Sequence, residues 1–415
     1  NAAFGSQALA NNTTGRNNTA VGSGALANTT TIYGSTAVGR NALMNQSFDP
    51  GVDWWQSQNT AVGEEALFTN NPTSADPMDG FANTAIGFKT LRNNATGSRN
   101  VALGSNALFS NTVGEGNVAL GHTAMRSNTT ASYNVAVGTW ALYTQSYDNS
   151  GGRYDTENTA IGYIALHANQ PTGTDNGVKN TAVGSQSMHH NTIGSDNTAI
   201  GRMSLANNTT ANFNVAVGSN AIENQSYANG DAAYDAANTA VGVSALQSNQ
   251  PTSTTTGIYN TAIGAAALNQ NTIGSNNTAL GIMAGFNLTT GDYNIHIGNQ
   301  GIAAEGNTIR IGDSNQTRAF VAGIHGVTPA GDGPLTVVVD SNGQLGTAAS
   351  SSSVLSVFGR TGTVVPATSD YDAAQIDNTP AGGIAAADVQ AAINELDTEK
   401  AATEHTHAAS QITGV

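Results

Sequence analysis

A short phrase with the consensus Asn-Thr-Ala-Val-Gly recurs sixteen times between Gly5 and Gly298, and its spacing constrains the fold more than any other feature. Most steps match those from Gly104 to Gly121 and from Gly121 to Gly138, seventeen positions each. The longer steps, such as Gly138 to Gly162 and Gly162 to Gly184, span twenty-four or twenty-two. Gly104, Gly184 and Gly264 mark a longer period of eighty, each block running 17, 17, 24, 22. A fixed period of this size belongs to a repeat architecture, in which each unit covers its apolar face with its neighbours.

Within a unit, "NTAVG" reads as a strand with Thr and Val on one face and Ala on the other. A second short strand is expected in "GALAN" or "NALFS". Gly and Asn mark the corners, where positive φ costs them little. Two strands and two turns in so short a unit make one coil of a parallel β-solenoid or β-roll. A helical solenoid needs longer units and better helix formers. The expected core holds one Val and one Leu per coil, at ~1.5–3 kcal/mol each, which barely offsets the ordering of the coil. The Ala face is therefore expected to admit another backbone, so that rolls pack together around an axis.

Composition narrows the function. Only 10% of residues are charged and the net charge is −15, which disfavours nucleic-acid and anionic-membrane partners. No apolar run approaches the ~20 residues of a spanning helix, so no membrane insertion is expected. With no cysteine, disulfides and thiolate metal sites are excluded. The opening "NAAFGSQAL" already belongs to the repeat, so the chain reads as a piece of a longer protein.

"NTAVGSGAL" and "NVAVGSNAI" resemble the head repeats of trimeric autotransporter adhesins, in which three left-handed parallel β-rolls form a trimer. The commonest, shortest version of the unit, with Asn-Thr-rich corners, is also similar to repeats in tail-fibre proteins of bacteriophages and related injection machines. The resemblance covers residues 1–298 and implies an all-β homotrimer of parallel β-rolls. The C-terminal "FGRTG", "DVQAAI" and "HTH" elements, similar to those of tail fibres, imply a structural and host-recognition fibre on a virion tail, contacting other tail or baseplate proteins and a host cell-surface polysaccharide. A bacterial trimeric adhesin or surface filament, sited on its own cell, is the first alternative.

From Asn294 the pattern changes. "NIHIG" and "NTIRIG" place His296 and Arg310 where every earlier unit has Ala, and the roll is expected to end between them. Residues 299–349 alternate apolar and polar residues with Gly and Pro turns, a β-rich neck resembling the segment before the C-terminal chaperone of phage tail fibres. In residues 350–383 a "SSSS" linker precedes "VFGRTGTVV" and "SDYDAAQIDN", both similar to tail-fibre elements. A helix is expected over 384–402, with Val389, Ile393 and Leu396 forming one narrow seam suited to a short three-stranded coiled coil. Residues 403–415 form a final segment in which "HTHAASQITGV" echoes "YDAAQIDN".

Few residues offer chemistry. His405 and His407, spaced i, i+2, project to one face of an extended strand. Three such pairs around a trimer axis give six imidazoles, an octahedral cage for iron or another first-row ion; the stretch resembles metal-holding "HxH" motifs of phage tail fibres. The longer units carry insertions such as "NQSFDPGVDWWQSQ", "TQSYDNSGGRYDTE" and "NQSYANGDAAYDAA". Their Trp54, Trp55, Tyr147, Tyr154, Tyr227 and Tyr234 either stack on receptor sugars or cover their own loops. Tyr133, Phe213, Tyr259 and Tyr293 precede the strand phrase and read as corner packing. For a polysaccharide-cleaving spike, the second alternative, the carboxylates are Glu64–Glu65, Asp148 with Asp155, and Asp231 with Asp235. Hydrolysis needs two carboxyls ~5–10 Å apart across a bond. Matching loops differ in their acids between blocks, so no enzymatic activity is expected.

Overall fold

A computed structural model describes residues 1–46, 56–70, 79–147, 149–227, 232–321, 336–339, 345–348 and 389–402. The chain divides into two units, Asn1–Arg318 and Ala319–Val415.

In the first unit, 17 strands of three residues each, from Ala2–Phe4 to Ile309–Ile311, form one parallel sheet. Like pairs with like: Thr19, Ala20 and Val21 lie beside Thr36, Ala37 and Val38. Coils with insertions keep this register, as Val135, Ala136 and Val137 do beside Thr159, Ala160 and Ile161. At ~4.8 Å per strand the sheet extends about 77 Å along its stacking direction. The unit is a β-solenoid, one coil per repeat.

Of the expected Val and Leu, the core holds the Leu but exchanges the Val for Ala. Ala20, Ala37, Ala61 and their counterparts are fully buried, whereas Val21, Ile86 and Leu103 are 38%, 38% and 50% exposed. A three-residue strand points only its middle side chain inward, and the thin coil interior has room for a methyl group there. The remaining interior is filled from the far side by the next Ala-Leu pair, such as Ala25 with Leu26 or Ala42 with Leu43, all fully buried.

That far side is not a second strand. It is a run of turns, with Ala25 N–H donating to the Gly22 carbonyl and Leu26 N–H to the Ala42 carbonyl of the next coil. Leu26 and Leu43 sit at φ 53° and 49°. A left-handed residue with a side chain costs ~1–2 kcal/mol, and burying the leucine, worth ~1.5–3 kcal/mol, offsets it. At the repeat glycine no side chain is tolerated. A Cβ on Gly104 (φ +132°) would lie 2.5 Å from the carbonyl oxygen of Gly121, one coil on.

The asparagine that opens each strand phrase is not there for positive φ, which belongs instead to the residue before it, as at Arg99 and Tyr133. It is buried and joins coils. Asn100 Nδ2 donates to the Gly114 carbonyl (2.9 Å), and its Oδ1 accepts the Asn117 N–H (2.9 Å). A second buried column runs along the opposite corner, where Asn111 Nδ2 donates to Asn94 Oδ1 and Asn128 Nδ2 to Asn111 Oδ1 (2.7 and 2.9 Å). Backbone polar groups at the first corner are thus satisfied by side chains of adjacent coils, while the second column ties side chain to side chain.

The parallel pairing does not stop between His296 and Arg310, as expected, but includes both: Ile295, His296 and Ile297 lie beside Ile309, Arg310 and Ile311. His296 is fully buried in the alanine column. Room comes from two glycines, since a Cβ on Gly285 or Gly301 would lie 3.1 or 2.9 Å from its ring. Its Nε2 meets Glu305 Oε1 at 2.8 Å, and Glu305 Oε2 takes the Arg310 Nε at 2.8 Å. A polar triad replaces the methyl groups at the last coil.

In the second unit, Thr336–Val339 and Leu345–Ala348 pair antiparallel. A helix spans Val389–Ala402, with Ile393 and Leu396 half exposed.

Candidate functional site

The solenoid's outer sheet face is left without a partner in the described residues. The alternation that buries Ala turns the first and third residues of every strand outward. Ile161, Ile200, Val241, Ile263 and Leu280 are 38–48% exposed. Next to them, immediately after the glycine, stand Phe88, Tyr163, Val243 and Ile282, exposed by 44–77%. Parallel sheets are ordinarily covered on both faces, and a contiguous apolar surface beyond a few hundred Å² marks an interaction site. The sequence signal was present in the alternation itself, large residues flanking a small one, but it does not say which face is inside.

The insertions leave the sheet undisturbed, and two of them add a short strand of their own. Tyr154–Asp155 pairs with Ala131–Ser132, and Tyr234–Asp235 with Ala211–Asn212. Tyr154 and Tyr234 are buried, each meeting a half-buried tyrosine edge-on: Tyr147 at 5.6 Å and Tyr227 at 6.1 Å between centroids. Ala211, Ala236 and Ile258 complete a small loop core around Tyr234. Burial pushes the Tyr154 and Tyr234 hydroxyls up to about 12, with Gln145 and Gln225 beside them pulling the other way. Two of the four tyrosines therefore serve as covers. Trp54 and Trp55 lie outside the described residues.

Tyr133, Phe213, Tyr259 and Tyr293 occupy the left-handed corner, as their position implies, but they are 44–62% exposed. Tyr133 donates its hydroxyl to Glu115 (2.8 Å), which also receives Arg153 (2.5 Å).

Of the carboxylate candidates, Glu64 and Glu65 are engaged in ion pairs. Glu64 pairs with Arg40, and Glu65 with Arg92 (2.7 Å) and Lys89 (3.9 Å). The Arg92 hydrogen bond and the charges of Arg92, Lys89 and Arg40 outweigh partial burial and hold Glu65 below the usual carboxylate range. Asp235 accepts the Asn212 amide; Asp148 and Asp231 lie outside the described residues. So do His405 and His407. Among the described residues, no group of three or more His, Asp or Glu side chains is arranged to hold a metal ion.

Compared with protein families, characterised proteins and solved structures, the chain matches none of them.

Proposed function

We propose that the protein is the shaft and host-recognition surface of a homotrimeric extracellular fibre, of the kind carried by a phage tail or a phage-like injection device. The observation that carries this reading is the outward column of Val, Ile and Leu on a parallel sheet. Covering that column with further copies of the same chain removes the apolar surface from water at every coil, and a stack of identical units makes the match continuous along the rod. The number three follows from the resemblance of "NTAVGSGAL" to trimeric head repeats. The residue inventory supports a mechanical role: the buried asparagine columns and the Glu65 and Glu305 contacts hold coils together.

Recognition in this reading falls to the insertions, where Trp54 and Trp55 with half-buried Tyr147 and Tyr227 offer apolar rings to a cell-surface polysaccharide. Repetition along the rod and around the axis multiplies weak contacts. The ion expected at His405 and His407 completes the reading, and elemental analysis of native protein against the His405→Ala, His407→Ala double variant tests it.

Light scattering on the purified 42.0 kDa chain tests the assembly. The expected mass is three times that value; a folded monomer with unchanged circular dichroism overturns it.

A further inference from the structure

The position five residues after the repeat glycine carries large cationic or aromatic side chains in seven successive coils, from Phe68 to His189. We propose that the exposed rims of these side chains form a rail for a linear acidic polysaccharide. The proposal names a glycan class within the fibre reading and rests on that reading for its biological setting.

The backbone sets the register. Ser110 N–H donates to the Arg126 carbonyl, Ser127 to Tyr143 and Thr144 to His167, at 3.0, 3.0 and 3.1 Å. The side chains then stack along the axis. The Arg92 guanidinium lies 4.9 Å from the Phe68 ring centre and 6.0 Å from that of Phe109. Arg126 lies 5.2 Å from Phe109 and reaches the Tyr143 hydroxyl at 3.5 Å. The Tyr143 and His167 rings are 5.3 Å apart and within 3° of parallel, and His189 follows at 5.4 Å.

Stacking uses up the ring faces, so what remains for a ligand is the edges. An aromatic face is negative and its edge positive; guanidinium and imidazole edges carry N–H donors. The guanidinium edges of Arg92 and Arg126 are therefore the electropositive points of this corner, in a chain whose net charge is −15. Glu65 already holds Arg92. Arg126 has no carboxylate within ion-pair distance among the described residues, and the flanking Ser110, Ser127 and Thr144 are uncharged.

Spacing selects the ligand. Arg92 and Arg126 stand two coils apart, about 10 Å at ~4.8 Å per coil. A linear polysaccharide with one uronic acid per disaccharide presents carboxylates at nearly that interval. Nucleic acid fits less well. Its charges recur every ~3.4 Å along a strand, and its bases need open ring faces to stack on.

The test is binding of the full chain to hyaluronan oligosaccharides, to the same oligosaccharides with carboxyls reduced, to a neutral linear glucan and to single-stranded DNA. The expected result is salt-sensitive binding to the acidic oligosaccharides alone. Arg126→Gln should lose it roughly tenfold, as removal of one charged hydrogen bond does. Arg126→Lys should keep most of it, with thermal melting showing both variants folded. No binding by the wild type, equal binding of the carboxyl-reduced form, equal binding by folded Arg126→Gln, or tighter binding of DNA each overturns the rail. Mass is measured on the same samples. A monomer that still binds sinks the fibre and leaves the rail standing, and a trimer that does not bind does the reverse.

Discussion

The Oδ1 of Asn117 accepts the backbone N–H of Asn134, one coil further on, at 3.0 Å, while its Nδ2 reaches the Ala131 carbonyl at 2.9 Å. Both partners are buried inside the stack and belong to the neighbouring coil. Asn117→Ala should orphan them at about 1–3 kcal/mol for each buried group. Hydrogen exchange at the Asn134 amide is the direct measurement, and it should accelerate most there. A variant with native exchange at that amide would mean that the column is dispensable.

Ala216 and Val217 are adjacent, yet they should respond oppositely to the same charge. Ala216 is fully buried and Val217 lies on the outer face. Ala216→Asp places an unpaired carboxylate in the stack and should unfold the surrounding coils. Val217→Asp should keep the circular dichroism of the wild type and lower the scattered mass. An intact oligomer carrying Val217→Asp would place the contact between copies elsewhere.

Glycine substitutions should divide sharply by position. Gly104→Ala drives a methyl group onto the Gly121 carbonyl oxygen and should abolish soluble, cooperatively melting protein. A methyl group added to Gly151, at φ +78°, would meet nothing within 4 Å. Gly151→Ala therefore carries only the backbone strain, about 1 kcal/mol. Thermal melts of the two variants side by side decide it.

Acid should loosen the middle of the solenoid. Burial, and then the charge of His190, hold His167 and His189 below the usual histidine value of 6.5. A histidine whose folded pKa is lowered binds its proton more readily unfolded, so stability is full above the unfolded value and falls as pH drops below it. The melting temperature should therefore decline from pH 7 to pH 5. His167→Gln with His189→Gln should flatten that decline; an unchanged slope would assign it to other groups.

Tyr154→Phe should leave the melting temperature unchanged or raise it. The buried hydroxyl makes no well-aligned hydrogen bond among the described residues, although Gln145 lies beside it. Tyr154→Ala should cost about 3–5 kcal/mol through the cavity it opens in the loop core. A large loss in the phenylalanine variant would mean the hydroxyl is bonded after all.

The coil and its stacking were legible because Gly5 to Gly298 repeat at a fixed interval, and a period survives any ambiguity about single residues. The inside of the coil was not. Alternation in "TAV" separates Ala from Val, but hydrophobicity alone favours burying Val, and only the narrow cross-section reverses that choice. The Ala-Leu pair looked like a strand because apolar neighbours carry no mark of a left-handed backbone, as Leu26 at φ 53° demonstrates. Asn marks corners by its backbone tolerance, whereas at Asn100 the side-chain amide is what the position uses. His296 looked too large and polar for the alanine column; its acceptor Glu305 and the space left by Gly285 and Gly301 come from three other segments, a pairing no local pattern displays. The Arg126 rail was invisible for a similar reason: its members come one per coil and differ in type, so they share a position rather than a motif.

Because the Gly104–Gly121 approach and the Asn100–Asn117 bond join only consecutive coils, no coil carries information about how many others exist. Recombination between two copies, in step by one coil or by one whole block, would lengthen or shorten the stack by complete units and leave every junction native. Reach then becomes a countable, heritable quantity, adjustable in increments of one coil without any new surface having to be invented.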